Sequence, residues 1–176
     1  KKVGPNHQEV GTVLNDLGLL YESLGQNAEA EPFFKRSSLI NELDIFLQQL
    51  GPDHLVVASR LNNLADLYDS QGRYAEAEPL YKRVLGINEK ALGPDHPKVA
   101  TALYQLAELY YKQSRYAEAE PFIKRSLMLN EKTFGPDHPK VATGLNLLAL
   151  LYLDQGRYGE GEPLIKRSLE IKEKTL

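Results

Sequence analysis

Cysteine and tryptophan are missing from this chain, and its 176 residues include only one methionine and four histidines. Without cysteine there is no disulfide framework, no thiolate nucleophile and no sulfur ligand for a metal. No apolar run is long enough to span a bilayer. The sequence opens at Lys1 without a signal-peptide pattern, so a soluble, cytoplasmic protein is the expectation. Charge of one sign is also lacking. Twenty-one Lys and Arg stand against 24 Asp and Glu, a net charge of −3, with the two signs mixed along the chain. That balance points away from nucleic acid and from an anionic membrane surface as partners. No GxxxxGK phosphate loop occurs.

What the chain does have is repetition. Residues 93–134, 135–176 and 51–92 are three copies of one 42-residue unit, each opening on Gly-Pro-Asp-His, and residues 4–50 form a looser copy five residues longer. Each unit can bury its apolar face only against its neighbours, as in a solenoid. Within residues 93–134, Val99, Leu103, Leu106, Ala107 and Tyr110 recur at helical spacing; a break follows at Gln113-Ser114-Arg115. A second run then holds Tyr116, Ala119, Ile123, Leu127 and Phe134. Each unit therefore reads as two antiparallel helices, A and B, joined by a tight turn, and the copies at 71–73 and 155–157 write that turn Gln-Gly-Arg. In the first copy helix A is expected over Gln8–Leu24, with Leu14, Leu17 and Tyr21 facing inward. Gly18, in the place of an alanine, is expected to weaken that helix by about 1 kcal/mol. Asn27 replaces the turn tyrosine (Tyr74, Tyr116, Tyr158), so the first turn should pack less well.

Leu103, Leu106, Ala107, Tyr110, Tyr116 and Ala119 fall at the spacing of the tetratricopeptide repeat, normally about 34 residues long. The 42-residue unit led by Gly-Pro-Asp-His-Pro resembles the kinesin light chain type, and the regular copies are similar to bacterial arrays of that type. The resemblance implies an all-α, right-handed superhelical solenoid of four helix-turn-helix repeats, with eight helices in a single domain. It also implies a role in binding other proteins. Because residues 135–176 end on a repeat boundary and Lys1-Lys2-Val3 resembles the tail of a preceding unit, the chain reads as part of a longer array.

The prolines and histidines fit this plan. Pro5, Pro52, Pro94 and Pro136 lie in the inter-repeat turns, and Pro97 and Pro139 suit the first position of helix A. Pro32, Pro79, Pro121 and Pro163 lie early in helix B; an interior proline costs about 3 kcal/mol, so they belong in or beside its first turn. His7, His54, His96 and His138 occupy one equivalent site per copy, each before a helix start. Stacked helices are roughly 8–10 Å apart, too far for equivalent imidazoles to share a metal with bonds near 2 Å. The histidines are therefore expected to be helix caps. Neither a metal site nor a Ser-His or Cys-His nucleophile can be assembled, so no cofactor and no enzymatic activity are expected. The glycines at 156, 159 and 161 are a loosened helix start rather than a phosphate loop. Glu31–Lys35, Glu78–Lys82, Glu120–Lys124 and Glu162–Lys166 are i,i+4 pairs taken to mark a solvated convex face.

In tetratricopeptide arrays the uncovered face of helix A lines a concave groove. Mapping the motif implies that this groove carries Asn15, Asp16, Leu19 and Glu22, then Asn62, Asn63, Asp66 and Asp69. The later copies add Tyr104, Gln105, Glu108, Tyr111 and Lys112, and Asn146, Leu147, Leu150, Leu153 and Asp154. Asparagine can both donate to and accept from a peptide backbone, so the expectation is a clamp on an extended protein or peptide segment, basic or neutral in charge. The alternative is a peptide or small-molecule sensor that gates an attached effector; it would need an enclosed apolar pocket instead of an open groove. The first copy's extra residues, within Leu43–Leu50, either fill a gap over the next repeat or form a docking knob. Val10, Val13, Leu17 and Leu20 at one end, and Ile165 and Leu169 at the other, are apolar faces without a neighbouring repeat, from which weak end-to-end self-association is expected.

Overall fold

The computed structural model describes the backbone of residues 7–43 and 53–174, and the side chains of residues 10–38 and 53–174. The extra residues at 44–50, whose role the sequence left open, lie outside the described residues, as does the side chain of His7.

Among the described residues the fold is all-α, with eight helices: α1 (His7–Ser23), α2 (Asn27–Leu43), α3 (Leu55–Ser70), α4 (Tyr74–Leu92), α5 (Pro97–Lys112), α6 (Tyr116–Phe134), α7 (Pro139–Asp154) and α8 (Tyr158–Lys174). They form four helix-turn-helix pairs. The chain divides into two compact units, Lys1–Ala91 and Leu92–Leu176. In the first unit α1 packs on α2, and α2 on α3; in the second, α5 packs on α6, α7 on α8, and α6 on α7.

The turn between paired helices follows from its sequence. Gly72 and Gly156 adopt φ of 72° and 73°, the left-handed conformation that closes a helix. The next residue's amide then reaches back five positions: Arg73 N donates to the Tyr68 carbonyl and Arg157 N to that of Tyr152, both at 2.8 Å. Ser114 takes the same conformation at φ 58° without being glycine.

Inside each pair the cores are apolar and tight. Val99, Leu103, Leu106, Ala107 and Tyr110 of α5 are all buried, as are Ala119, Ile123 and Leu127 of α6. Each large side chain so buried contributes about 1.5–3 kcal/mol. A polar tie accompanies them in three pairs. Ser37, Ser126 and Ser168 donate to the carbonyls of Gly11, Ala100 and Ala142 at 2.8, 2.7 and 2.9 Å, fixing how helix B crosses helix A. In the α3–α4 pair this place is taken by Val84, which is buried.

Pro97 and Pro139 stand at the first helical position, as expected. Pro32, Pro79, Pro121 and Pro163 are each the sixth residue of their helix, just past the first turn. Only one intrahelical acceptor loses its donor there, and the ring faces solvent. Gly18 is a different matter. A Cβ at that position would lie 2.5 Å from the ring of Phe34, which is buried. The glycine is the space into which Phe34 packs, so it gains core contact in return for helix propensity.

Candidate functional site

In the first unit the expected binding positions lie on α1 and α3. Asn15 is buried, and its Oδ1 accepts from Asn63 Nδ2 at 2.9 Å, a bond from one helix pair to the next. Asn62 Nδ2 donates to Asp66 Oδ2 at 2.8 Å, and the Tyr81 hydroxyl of α4 donates to Asp66 Oδ1 at 2.6 Å. Asp16 and Leu19 are exposed, while Asn62, Asn63, Asp66, Glu22 and Asp69 are half-buried. Burial, and then the charge of Asp66, raises the carboxyl of Glu22 above the ordinary glutamate value. Arg60, the cation on α3, is half-buried; burial lowers its pKa while Asp16 favours its charge, and its Nη2 donates to Thr12 Oγ1 at 3.4 Å.

In the second unit the positions lie on α5 and α7 and are more aromatic. Tyr104, Gln105, Glu108, Tyr111, Asn146 and Leu153 are half-buried, and Lys112, Leu150 and Asp154 are exposed. The Tyr111 hydroxyl donates to Asp154 Oδ2 at 2.8 Å, and the Tyr116 hydroxyl reaches the same oxygen at 3.5 Å. The rings of Tyr111 and Tyr116 lie 5.8 Å apart, tilted. The bond to Asp154, with burial, pushes the Tyr111 phenol up to about 12. Tyr104 also rises to about 12, from burial first and Glu108 second. Lys112 pairs with Glu108 at 3.8 Å. Leu147, mapped to the same face, is instead buried in the core with Val141, Leu148 and Leu151 and is not open to a ligand.

The acidic helix-B pairs need a correction. All four i,i+4 pairs are formed, at 2.5–2.6 Å. Glu31 and Glu120, however, do not belong to a merely solvated face, because the glutamate side chains are only 18% and 20% exposed. Each reaches into the next helix pair. Glu31 Oε2 accepts from Arg73 Nη1 at 2.8 Å, and Glu120 Oε2 from Arg157 Nη1 at 3.0 Å. The arginine in turn lies over the tyrosine of its own pair, 4.3 Å from the Tyr68 centroid and 3.9 Å from that of Tyr152. This Glu–Arg–Tyr clasp was missed in the sequence. Its signal was present in the recurrence of Glu, Arg and Tyr at fixed offsets in every full-length copy.

Three of the four histidines are caps, and the expected cap role of His7 falls on a side chain outside the described residues. His54, His96 and His138 have extended backbone, and their Nδ1 atoms accept from the amides of Val56, Lys98 and Lys140 at 3.2, 3.1 and 3.1 Å. Among the described residues no group of three His, Cys, Asp or Glu side chains could hold a metal ion, and no helix is long and apolar enough to cross a membrane.

A tetratricopeptide repeat family model matches residues 36–90, 70–129 and 99–174, and a second tetratricopeptide repeat model matches residues 10–42. No curated protein matches the chain. Among solved structures it is similar to BtubC (BKLC) from P. vanneervenii, at 20% identity and a TM-score of 0.87, over 99% of this chain and 68% of that one. It is also similar to a putative kinesin light chain of P. anserina with nearly identical TPR-like repeats, at 24% identity and a TM-score of 0.79, over 94% and 76%. Aspartyl phosphate phosphatase F from Bacillus subtilis shares the fold at 14% identity and a TM-score of 0.78, over 97% of this chain but 42% of that protein. These likenesses show a shared helical-repeat fold, and kinesin light chain-like repeats are among them. With matches running from residue 10 to residue 174, the chain belongs to the tetratricopeptide repeat family, whose fold is typical of protein–protein interaction.

Proposed function

We propose that the chain is a protein-interaction scaffold in which the α1/α3 face of the first unit and the α5/α7 face of the second each bind an extended, basic or neutral segment of a partner protein. The observation that carries this reading is the Asn63–Asn15 bond. It holds Asn63 in one orientation at a half-buried position, with its own carbonyl oxygen facing away from the shared bond. An amide fixed in this way loses little side-chain entropy when a peptide group bonds to it. Asn62, anchored on Asp66, is held in the same manner.

The charge preference is read from the neighbours. Asp16, Glu22, Asp66 and Asp69 of the first unit's face stand beside one cation, Arg60, while Glu108 and Asp154 outnumber Lys112 in the second. An acidic ligand would add to an already unfavourable field, and a lysine or arginine would relieve it.

The test uses peptides selected from a display library and resynthesised with basic, neutral and acidic flanks. Binding is expected at about micromolar affinity, near −8 kcal/mol, because the peptide must be ordered. Basic flanks should tighten it. Replacing Asn62 and Asn63 with alanine should weaken it about tenfold in protein that circular dichroism shows to be folded. Undiminished binding by the folded double variant would remove the clamp.

A further inference from the structure

The clasp shows how this chain holds a guanidinium. In the second unit Arg157 lies 3.9 Å over the ring of Tyr152, and its Nη1 donates to Glu120 Oε2 at 3.0 Å. The Tyr152 hydroxyl donates to the other oxygen, Oε1, at 3.0 Å. One carboxylate is thus divided: the phenol takes one oxygen, while the guanidinium takes the other and covers the ring. In the first unit Arg73 likewise lies 4.3 Å over Tyr68 with its Nη1 on Glu31.

On the α5/α7 face the ring and the carboxylate recur without the arginine. The Tyr111 hydroxyl donates to Asp154 Oδ2 at 2.8 Å, and that of Tyr116 reaches the same oxygen at 3.5 Å. Both phenols sit on one oxygen, and Asp154 Oδ1 accepts from nothing among the described residues. The two rings stand 5.8 Å apart and tilted by 48°. Each is half-buried against the apolar core of the unit, so it is already ordered before any ligand arrives. Asp154 is exposed; Lys112, in the same place one repeat earlier, is exposed too although another helix pair follows it.

The cations nearest in sequence are committed elsewhere. Arg157 has Nη1 on Glu120 and Gln155, and Nε and Nη2 on Glu160. Lys112 pairs with Glu108 at 3.8 Å. The arrangement also belongs to the second unit alone. In the first unit the three places hold Glu22, Asn27 and Ser70, with Asn27 bonded to Ser70 at 3.4 Å and no ring among them.

We propose that Tyr111, Tyr116 and Asp154 form a subsite for one arginine side chain of a partner protein, its guanidinium lying on the tyrosine rings and donating to Asp154 Oδ1. This rests on the reading of the α5/α7 face as a binding face and gives that face a specificity. Arginine suits it better than lysine. A planar guanidinium lies on a ring and donates in its own plane to the carboxylate at once, whereas an ammonium is a point charge. An exposed ion pair alone would contribute little, so the rings are what make the subsite selective.

Tyrosine-ring NMR of the 176-residue chain tests the subsite without an identified partner. N-acetyl-arginine methylamide is titrated in, beside its lysine and citrulline counterparts. The rings of Tyr111 and Tyr116, assigned with Tyr111→Phe and Tyr116→Phe, should shift with a dissociation constant on the order of millimolar. The lysine compound should bind about threefold more weakly, and the citrulline compound, similar in shape but uncharged, should leave the rings unmoved. Asp154→Asn keeps an acceptor for Tyr111 and should weaken the arginine compound about fivefold. Tyr116→Leu removes one ring and should weaken it about threefold. Four results overturn the subsite: no shift of these two rings at roughly 50 mM arginine compound, equal shifts with citrulline, equal binding of lysine and arginine, or an undiminished response in either folded variant.

Peptides from the display library separate this outcome from that of the scaffold. If peptides bind the α5/α7 face and exchange arginine for citrulline without loss, the subsite falls and the scaffold stands. If no peptide binds there while the arginine compound still moves both rings, the scaffold reading falls at that face and the subsite stands.

Discussion

The guanidinium of Arg157 lies 3.9 Å from the ring centroid of Tyr152 while its Nη1 donates to Glu120, and the Tyr152 hydroxyl donates to the same glutamate at 3.0 Å. One carboxylate thus joins helix α6 to both the turn and the A helix of the next pair. The hydrogen bond from Lys124, with those of Arg157 and Tyr152, holds Glu120 down to about 2.

That depression sets a pH dependence with a definite sign. A carboxyl whose folded pKa lies below its unfolded value stabilises the fold above the ordinary range and loses that contribution as pH falls. For Glu120 the loss should run from about 4.5 down to about 2. Glu120→Gln should lower stability at neutral pH by about 1 kcal/mol, since the pair is partly screened by solvent, and should flatten the decline in melting temperature below pH 4.5. Parallel melting curves for both proteins across that range would show that the clasp contributes nothing.

Gly18 yields a prediction opposite to helix propensity. Alanine normally stabilises a helix over glycine by about 1 kcal/mol. At Gly18 the new methyl would stand 2.5 Å from Phe34, so Gly18→Ala should destabilise by about 1–3 kcal/mol through overpacking. Gly159, with nothing within 4 Å of its virtual Cβ, is the control, and Gly159→Ala should stabilise by about 0.5–1 kcal/mol. Urea titrations of the two variants should move in opposite directions. Movement in the same direction would contradict the packing assigned to Phe34.

At Ser114 the turn forces a side chain into the left-handed region, at a cost of about 1 kcal/mol. Ser114→Gly should recover that amount, and Gly72→Ala should lose a similar amount even though no atom lies within 4 Å of the added carbon. A reduced melting temperature for Ser114→Gly would mean that the serine hydroxyl has a role beyond the turn.

The helices, turns and caps were legible in the sequence because their determinants are local. The apolar stripe of α5 and the turn at residues 113–115 can be read within a 25-residue window. The observed start of α1 at His7 differs by one residue from the expected Gln8. What could not be read were pairings set by stacking. Glu120 and Arg157 are 37 residues apart, and the i,i+4 lysine offered the glutamate a sufficient local partner. Gly18 looked like a helix defect because Phe34, which fills its space, belongs to the other helix of the pair. On the candidate face, motif mapping placed Asn146 and Leu150 at the surface but could not separate them from Leu147, whose burial depends on how α7 packs against its neighbours.

The histidine caps separate two roles that share one position. His96 and His138 each cap a helix through Nδ1, an acceptor that asparagine can replace and alanine cannot. His96→Ala should therefore lose about 1 kcal/mol, and His96→Asn close to nothing. His138 also stacks on Phe134, with ring centroids 4.5 Å apart, and the Lys140 ammonium lies 4.7 Å from the centroid of that same ring. Asparagine keeps the cap there but not the stack, so His138→Asn should still lose about 0.5–1 kcal/mol. The measurement is the urea midpoint of these three single variants, with Phe134→Leu as a fourth. In the Phe134→Leu background the loss on His138→Asn should shrink toward that of His96→Asn. If asparagine proves as damaging as alanine at His96, capping is not what this histidine does.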